Sequence, residues 1–206
     1  TSSGTNFGGM FYDCSGLTSI PLLDTSSGTN FSGMFSNCVS LTSIPLLDTS
    51  SGTDLSYMFS NCPGLTSIPL LDTSSGTNFS GMFSNCSGLT SIPLLDTSSG
   101  TDLIYMFYSC VNLEVIPALN FSSATYTQAM IGYAYNIKII DVMNISNSLS
   151  VDNCLLDKDN LINIFNNLVD IPQDSAELNI NNNPGVVDLL PSDIQIATDK
   201  GWIIYY

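Results

Sequence analysis

The 206-residue chain contains no histidine, which removes the commonest general base and the commonest metal ligand. It is also short of positive charge: three lysines, Lys138, Lys158 and Lys200, face eighteen acids for a formal net charge of −15. A nucleic-acid or anionic-membrane partner needs a basic patch to release counterions, and three scattered lysines cannot build one. No apolar run approaches the roughly 20 residues of a membrane span, and no charged-then-apolar leader opens the chain, so neither membrane insertion nor a signal is expected within it. The opening TSSGT elsewhere follows LLD, as at Asp24 before Thr25–Thr29. The chain is therefore expected to start inside a repeating unit, as a piece of something longer.

What is present is periodicity. Cys14, Cys38, Cys62, Cys86 and Cys110 recur every 24 residues, within a unit that reads TSSGT, Asn or Asp, Phe or Leu, then MF-xx-C-xx-L-xx-IPLLD. A degenerate sixth copy keeps Met130, Ala134, Ile137 and Ile140 at the Met, Cys, Leu and Ile positions. One unit cannot bury its apolar letters alone, so units must stack into a solenoid around a shared column. Leu17, Ile20 and Leu22 have the L-xx-L-x-L spacing that lines one side of a coil with a short strand. Met10, Phe11 and Cys14 have the spacing of a helical turn on the other side, and SSGT supplies the turn between. Pro21, Pro45, Pro69 and Pro93 each remove a ladder donor, so the strand should be narrow, roughly Leu17–Ile20. Units with Gly33 or Gly81 before Met alternate with units carrying Tyr57 or Tyr105. That alternation fits either interlocking of adjacent coils or recent duplication of a double unit.

The string MFxxCxxLxxIPxL over about Thr1–Asn144 resembles the BspA-like leucine-rich repeats, including the Treponema type, of bacterial and parasitic-protist surface proteins. The resemblance implies a right-handed α/β solenoid of 24-residue coils with short parallel strands, and an extracellular, often adhesive role. It implies no catalytic residues. The ending IATDKGW also resembles endings of repeat proteins from gut bacteria and their phages.

From Asn147 the composition turns Asn- and Asp-rich, and residues 1–146 and 147–206 are read as a repeat solenoid and a C-terminal α/β cap. Leu161, Ile164, Phe165 and Leu168 predict an amphipathic helix over Asp157–Val169, with Asp157 or Asp159 helping its start. Pro191 and Ser192 open a second helix, Ser192–Lys200, that Gly201 follows. Short strands are expected at Leu178–Ile180 and Trp202–Tyr206. Such a cap covers the apolar face and unpaired edge of an open solenoid end.

Four residue sets are candidates for chemistry. The cysteines would stack about 5 Å apart, the spacing of neighbouring strands. Five parallel thiols cannot pair evenly, and a linear array without histidine or C-x-x-C is no tetrahedral metal site, so they read as small buried apolar residues. Asp24, Asp48, Asp72 and Asp96 form an acid column whose neighbours repel by about 0.8 kcal/mol at about 5 Å in water. Calcium bridging would give a thin ligand set, whereas Asx turns into the following TSSG need nothing else. Thr18, Thr42, Thr66 and Thr90, each followed by serine, make a hydroxyl face suited to a glycan, to ice or simply to water. Tyr57, Tyr105, Tyr108, Tyr126, Tyr133 and Tyr135 offer rigid amphipathic contact area, or inter-coil packing.

The reading is a non-enzymatic module without metal or cofactor, extracellular at a cell surface or on a virion. It binds a protein or glycan of a cell or matrix surface through Tyr57, Tyr105, Tyr108, Tyr133 and Tyr135 and the four threonines. The alternative is a structural, self-associating part of a phage virion or surface filament.

Overall fold

The structure, a computed structural model, describes residues 3–206. Its coils repeat every 24 residues in a solenoid-like stack, registered by parallel bridges Asn6 to Asn30, Asn30 to Asp54, Asp54 to Asn78, Asn78 to Asp102 and Asp102 to Tyr126. The inter-coil ladder therefore runs at the Asn/Asp position ahead of the Met-Phe pair. It does not run along Leu17–Ile20, where a strand was expected and none forms.

The expected helical turn is absent too: among the described residues, no α-helix precedes Lys158. The Met-Phe-x-x-Cys segment is instead a run of three overlapping β-turns, the middle one closed by the Ser36 N–H on Gly33 O at 3.0 Å. The Met34 N–H donates to Phe31 O at 3.1 Å with Gly33 left-handed (φ 61), and the Cys38 N–H donates to Phe35 O at 3.1 Å with Asn37 left-handed (φ 64). A left-handed third residue is what a type II turn requires, hence Gly and Asn there. Between those bonds, the N–H groups of Phe31, Gly33, Phe35 and Asn37 donate to carbonyls of Asp54, Ser56, Met58 and Ser60 in the next coil at 2.8–2.9 Å. From Gly33 to Cys38 successive amides thus face alternately the neighbouring coil and their own turn.

The other side of the coil is extended, with burial at every third residue: Leu41, Ile44 and Leu47 are buried while Thr42, Ser43 and Leu46 are exposed. Three residues is the period of polyproline II, which suits Pro45 in the middle and needs no ladder. The sequence reading put Leu22 inside; the structure turns Leu22 out and takes Leu23, Leu47, Leu71 and Leu95 in. Within the repeats, β1 (Val115–Asn120), which still carries Pro117, pairs in parallel with β2 (Ile139–Met143). In proline-free β2 burial alternates, Ile140 and Val142 in. In β1 it keeps the period of three, Ile116 and Leu119 in, and the register shift between those residues reconciles the two periods.

The core is one continuous cluster from Phe7 to Trp202. Phe11, Phe35, Phe59, Phe83 and Phe107 stack ring on ring with centroids 5.4–5.7 Å apart and planes within 6°. Cysteine has a specific place beside them. The Cys38 Sγ–H donates to Phe11 O at 3.1 Å, Cys62 to Phe35 O at 3.1 Å, Cys86 to Phe59 O at 2.9 Å and Cys110 to Phe83 O at 3.0 Å. Each thiol thereby supplies a second donor to a carbonyl that already holds its own turn. Buried threonines tie coils in the same way, with Thr25, Thr49 and Thr73 donating to the carbonyls of Asp48, Asp72 and Asp96 at 2.6–2.9 Å.

Beyond the coils, β3 (Leu149–Ser150), β4 (Ala176–Asn179) and β5 (Trp202–Tyr205) form a parallel sheet in that order. Helix α1 (Lys158–Asn167) starts at Asp157, whose side chain accepts from the Asn160 N–H at 2.9 Å, and packs on β2 through Leu161, Ile164 and Phe165. Helix α2 (Pro191–Thr198) starts on Pro191, and the Asp193 carboxylate accepts from the Leu190 N–H at 2.8 Å. The Lys200 ammonium donates to the carbonyls of Phe165, Asn166 and Leu168 at 2.7–3.1 Å, placing a cation on the free acceptors at the end of α1.

One column member departs from the buried reading: Cys14 is exposed, while Cys38, Cys62, Cys86 and Cys110 are buried. Burial pushes the Cys62 and Cys110 thiols up to about 12, so little thiolate exists at neutral pH. A maleimide reagent is expected to label Cys38, Cys62, Cys86 and Cys110 only after unfolding. Peptide mapping that finds Cys62 or Cys86 labelled as fast in the native protein as in urea would show that the stack is not packed this way.

Candidate functional site

The structure gathers four of the candidate tyrosines into one row and leaves Tyr57 and Tyr126 apart. Tyr105 meets Tyr108 edge-to-face at 5.2 Å, Tyr108 meets Tyr133 at 5.2 Å, and Tyr133 meets Tyr135 at 6.0 Å. Edge-to-face contacts set the positive rim of one ring on the negative face of the next, so the row holds its shape without covering every ring. Tyr105, Tyr133 and Tyr135 remain 43–56% exposed. Tyr108 lies lower in the row; burial raises its phenol above the ordinary value, so it stays protonated and able to donate at neutral pH.

Three tyrosines sit where the turns want glycine or asparagine. Tyr57, Tyr105 and Tyr133 have φ of 53°, 56° and 61°, a conformation that costs an L-residue roughly 1–2 kcal/mol. Packing offsets that cost at Tyr57, whose ring covers Gly81 in the next coil so closely that a Cβ there would fall 2.4 Å from it. Tyr108 covers Gly132 in the same manner, 2.9 Å from a would-be Cβ. The Gly/Tyr alternation is thus an interlock between coils, whatever the history of the double unit.

Thr18, Thr42, Thr66 and Thr90 lie on a separate exposed column with Ser19, Ser43, Ser67 and Ser91 beside them. Their coil-to-coil bonds are long, 3.4 Å from the Thr42 N–H to Thr18 O and from the Thr66 N–H to Thr42 O. They shorten toward β1, where the Glu114 N–H reaches Thr90 O at 3.0 Å and the column ends in the Glu114–Lys138 ion pair at 3.0 Å. The aspartate column takes the Asx-turn form. Asp24, Asp48, Asp72 and Asp96 each accept from the N–H and the hydroxyl of the serine two residues on, at 2.6–3.2 Å. A second Asx column, Asn30, Asp54, Asn78 and Asp102, supports the bridge ladder and alternates neutral with charged members.

The family model for the BspA-type leucine-rich repeat region matches in six copies, over residues 7–130 and 80–175. The chain belongs to the BspA-type leucine-rich repeat family. Repeats of this type commonly mediate surface adhesion or protein binding. No curated protein sequence matches this BspA-type chain. Among its described residues no helix is long and apolar enough to cross a membrane.

One surface feature went unread in the sequence: Leu22, Leu46, Leu70 and Leu94, counted as core letters, stand 59–76% exposed in a row beside the aspartates. The signal was available, since a proline one residue ahead of each disfavours the alternating strand that would have turned it inward.

Two measurements test these assignments. Gly33→Ala and Gly81→Ala share the left-handed backbone cost of about 1 kcal/mol, but only the second drives a Cβ into the Tyr57 ring. Gly81→Ala is expected to lower stability by a further 1–3 kcal/mol or so in urea unfolding, recovered in the Tyr57→Gly/Gly81→Ala pair; equal losses for the two alanine variants would refute the interlock. The Ser74 hydroxyl and then its N–H hold Asp72 below the ordinary carboxylate value. A lowered folded value contributes stability that is complete above about pH 4 and fades as pH falls through it. Ser74→Ala should therefore be less stable than the parent at pH 7, with the gap closing in acid; a gap unchanged at low pH would show that the bond does not carry it.

Proposed function

We propose that the chain is a non-catalytic recognition module of an extracellular surface, a right-handed solenoid closed by residues 147–206 as an α/β cap, that holds a protein or glycan of a cell or matrix surface. The observation that carries this reading is the row Tyr105, Tyr108, Tyr133 and Tyr135. Tyrosine gives large contact area with only two side-chain torsions to freeze, and a row already braced edge-to-face loses little entropy on binding. Tyr105, Tyr133 and Tyr135 stay open to solvent, and Tyr105 and Tyr133 keep backbone conformations that a glycine or asparagine would adopt at lower cost. Strain retained at an exposed aromatic is the kind of departure from local optimum that ligand contact explains.

The threonine column adds hydroxyls at the coil spacing, suited to hydrogen bonding with a repetitive sugar or an extended protein surface. The uncharged character of both sets fits recognition that depends on shape and hydrogen bonds, with the acidic remainder keeping the module soluble. Membership of a family whose repeats commonly mediate adhesion or protein binding supports the same direction.

Binding of the labelled chain to immobilised matrix proteins, mucin and whole host cells is the direct test. Saturable binding is expected, with Tyr105→Ala/Tyr133→Ala weakening it about ten-fold or more, as for central aromatic anchors. Tyr→Phe at the same sites should retain most of it if ring area dominates. Absence of saturable binding to any of these surfaces, or binding that ignores the tyrosines, would dismiss the reading.

A further inference from the structure

The exposed leucine column borders a groove that the tyrosine and threonine faces do not share. Two depressions, of about 800 and 730 Å³, both include Leu70 and Asp72, and together they run along the coils from Leu22 to Met143. Exposed leucines line it on one side and the aspartate column on the other. Each of these aspartates has one carboxylate oxygen engaged by a serine, so the groove couples an apolar strip to a line of fixed negative charge.

Among the described residues no lysine neutralises that charge. Lys138 pairs with Glu114, Lys158 pairs with Asp193 at 2.8 Å, and Lys200 is spent on the end of α1. A second copy of the chain would bring aspartate column against aspartate column, or a surface with net charge −15 against it, and is disfavoured on that ground.

We infer that the leucine–aspartate groove docks a cationic amphipathic α-helix of a partner protein, lying along the stacking direction. Ring centroids of the phenylalanines stacked in successive coils lie 5.4–5.7 Å apart, near the roughly 5.4 Å that an α-helix advances per turn. Apolar residues at i, i+3/i+4 and i+7 of such a helix therefore meet successive leucines, while lysines or arginines one position round meet the aspartates. An extended strand returns to the same face only every 6.6 Å or so, and falls out of register by about 1 Å per coil. The three steps from Leu22 to Leu94 span about 17 Å, the length of roughly 11 helical residues. The inference concerns a different surface from the tyrosine row and does not rest on that reading.

The test uses the whole chain and a fluorescent synthetic Leu/Lys amphipathic helix of about 18 residues, long enough to hold helical structure, beside a scrambled peptide of the same composition. Anisotropy titration is expected to show the amphipathic peptide binding at least about ten-fold tighter than the scrambled one. Leu46→Gln/Leu70→Gln, at exposed sites that leave the core intact, should lose that preference at every salt concentration. Asp48→Asn/Asp72→Asn, which keeps both Asx turns, should weaken binding at low salt and flatten its salt dependence. Tyr105→Ala/Tyr133→Ala should leave the peptide affinity unchanged, which separates this groove from the tyrosine site. Equal affinity for the scrambled peptide, or indifference to the leucine variant, would reduce the effect to charge attraction and overturn the proposal. So would sedimentation showing a dimer of the chain that Leu70→Gln dissolves, since the groove would then belong to a second copy.

Discussion

A chain whose solenoid-like coils repeat every 24 residues, with neither helix nor full strand in most of them, must still pair the amides of its buried turns. This one does so by alternation: one N–H donates back to its own β-turn, and the next donates onward to the following coil. The pattern demands two left-handed residues per coil, four positions apart, as at Gly33 and Asn37. It also demands that the coils stay in register, because a shift of one residue would aim every inter-coil donor at the wrong carbonyl. Met, Phe and Cys follow from this. They fill the space that the paired turns enclose, and the thiol donates to the phenylalanine carbonyl of the preceding coil, making cysteine the small apolar residue that is also a donor.

Once the turn side is fixed, the opposite side inherits its freedom from proline. Without a ladder to obey, the Leu-x-x-Ile-Pro-Leu-Leu segment takes a three-residue period. One third of it faces the core, and the remaining two thirds present threonine and serine in one direction and leucine in another. The acid column beside the leucines is held locally by serine hydroxyls. The surfaces on offer, a tyrosine row, a hydroxyl column and a leucine–aspartate groove, are by-products of how the interior is satisfied.

Much of this was legible in the residues. The 24-residue period, the buried column, the Asx turns, the α1 start at Asp157 and the α2 start at Pro191 all rest on short-range chemistry that a single stretch of chain displays. Other features were misread because they depend on neighbours. Met10-Phe11-Cys14 has helical spacing, but two left-handed residues per coil are incompatible with a helix. Leu17–Ile20 has strand composition, yet within the repeats a paired strand forms only at β1 and β2, where the partner β2 is free of proline. The tyrosines were chosen by composition and by where along the chain they gather; that four of them touch edge-to-face, and that Tyr57 instead covers a glycine, depends on coils 24 or more residues apart meeting in space.

By itself the sequence determined the unit: its length, its apolar letters, its turn residues, and the lack of histidine and basic charge that restricts its chemistry. These are properties of composition and local spacing, which any one copy expresses. Only the tertiary structure decided which amides pair within a coil and which between coils, which leucine of each pair faces water, and which aromatics share a surface. Those outcomes are settled by stacking, because a side chain in a solenoid is buried or exposed according to the coil above and below it, and no single repeat contains its own neighbour.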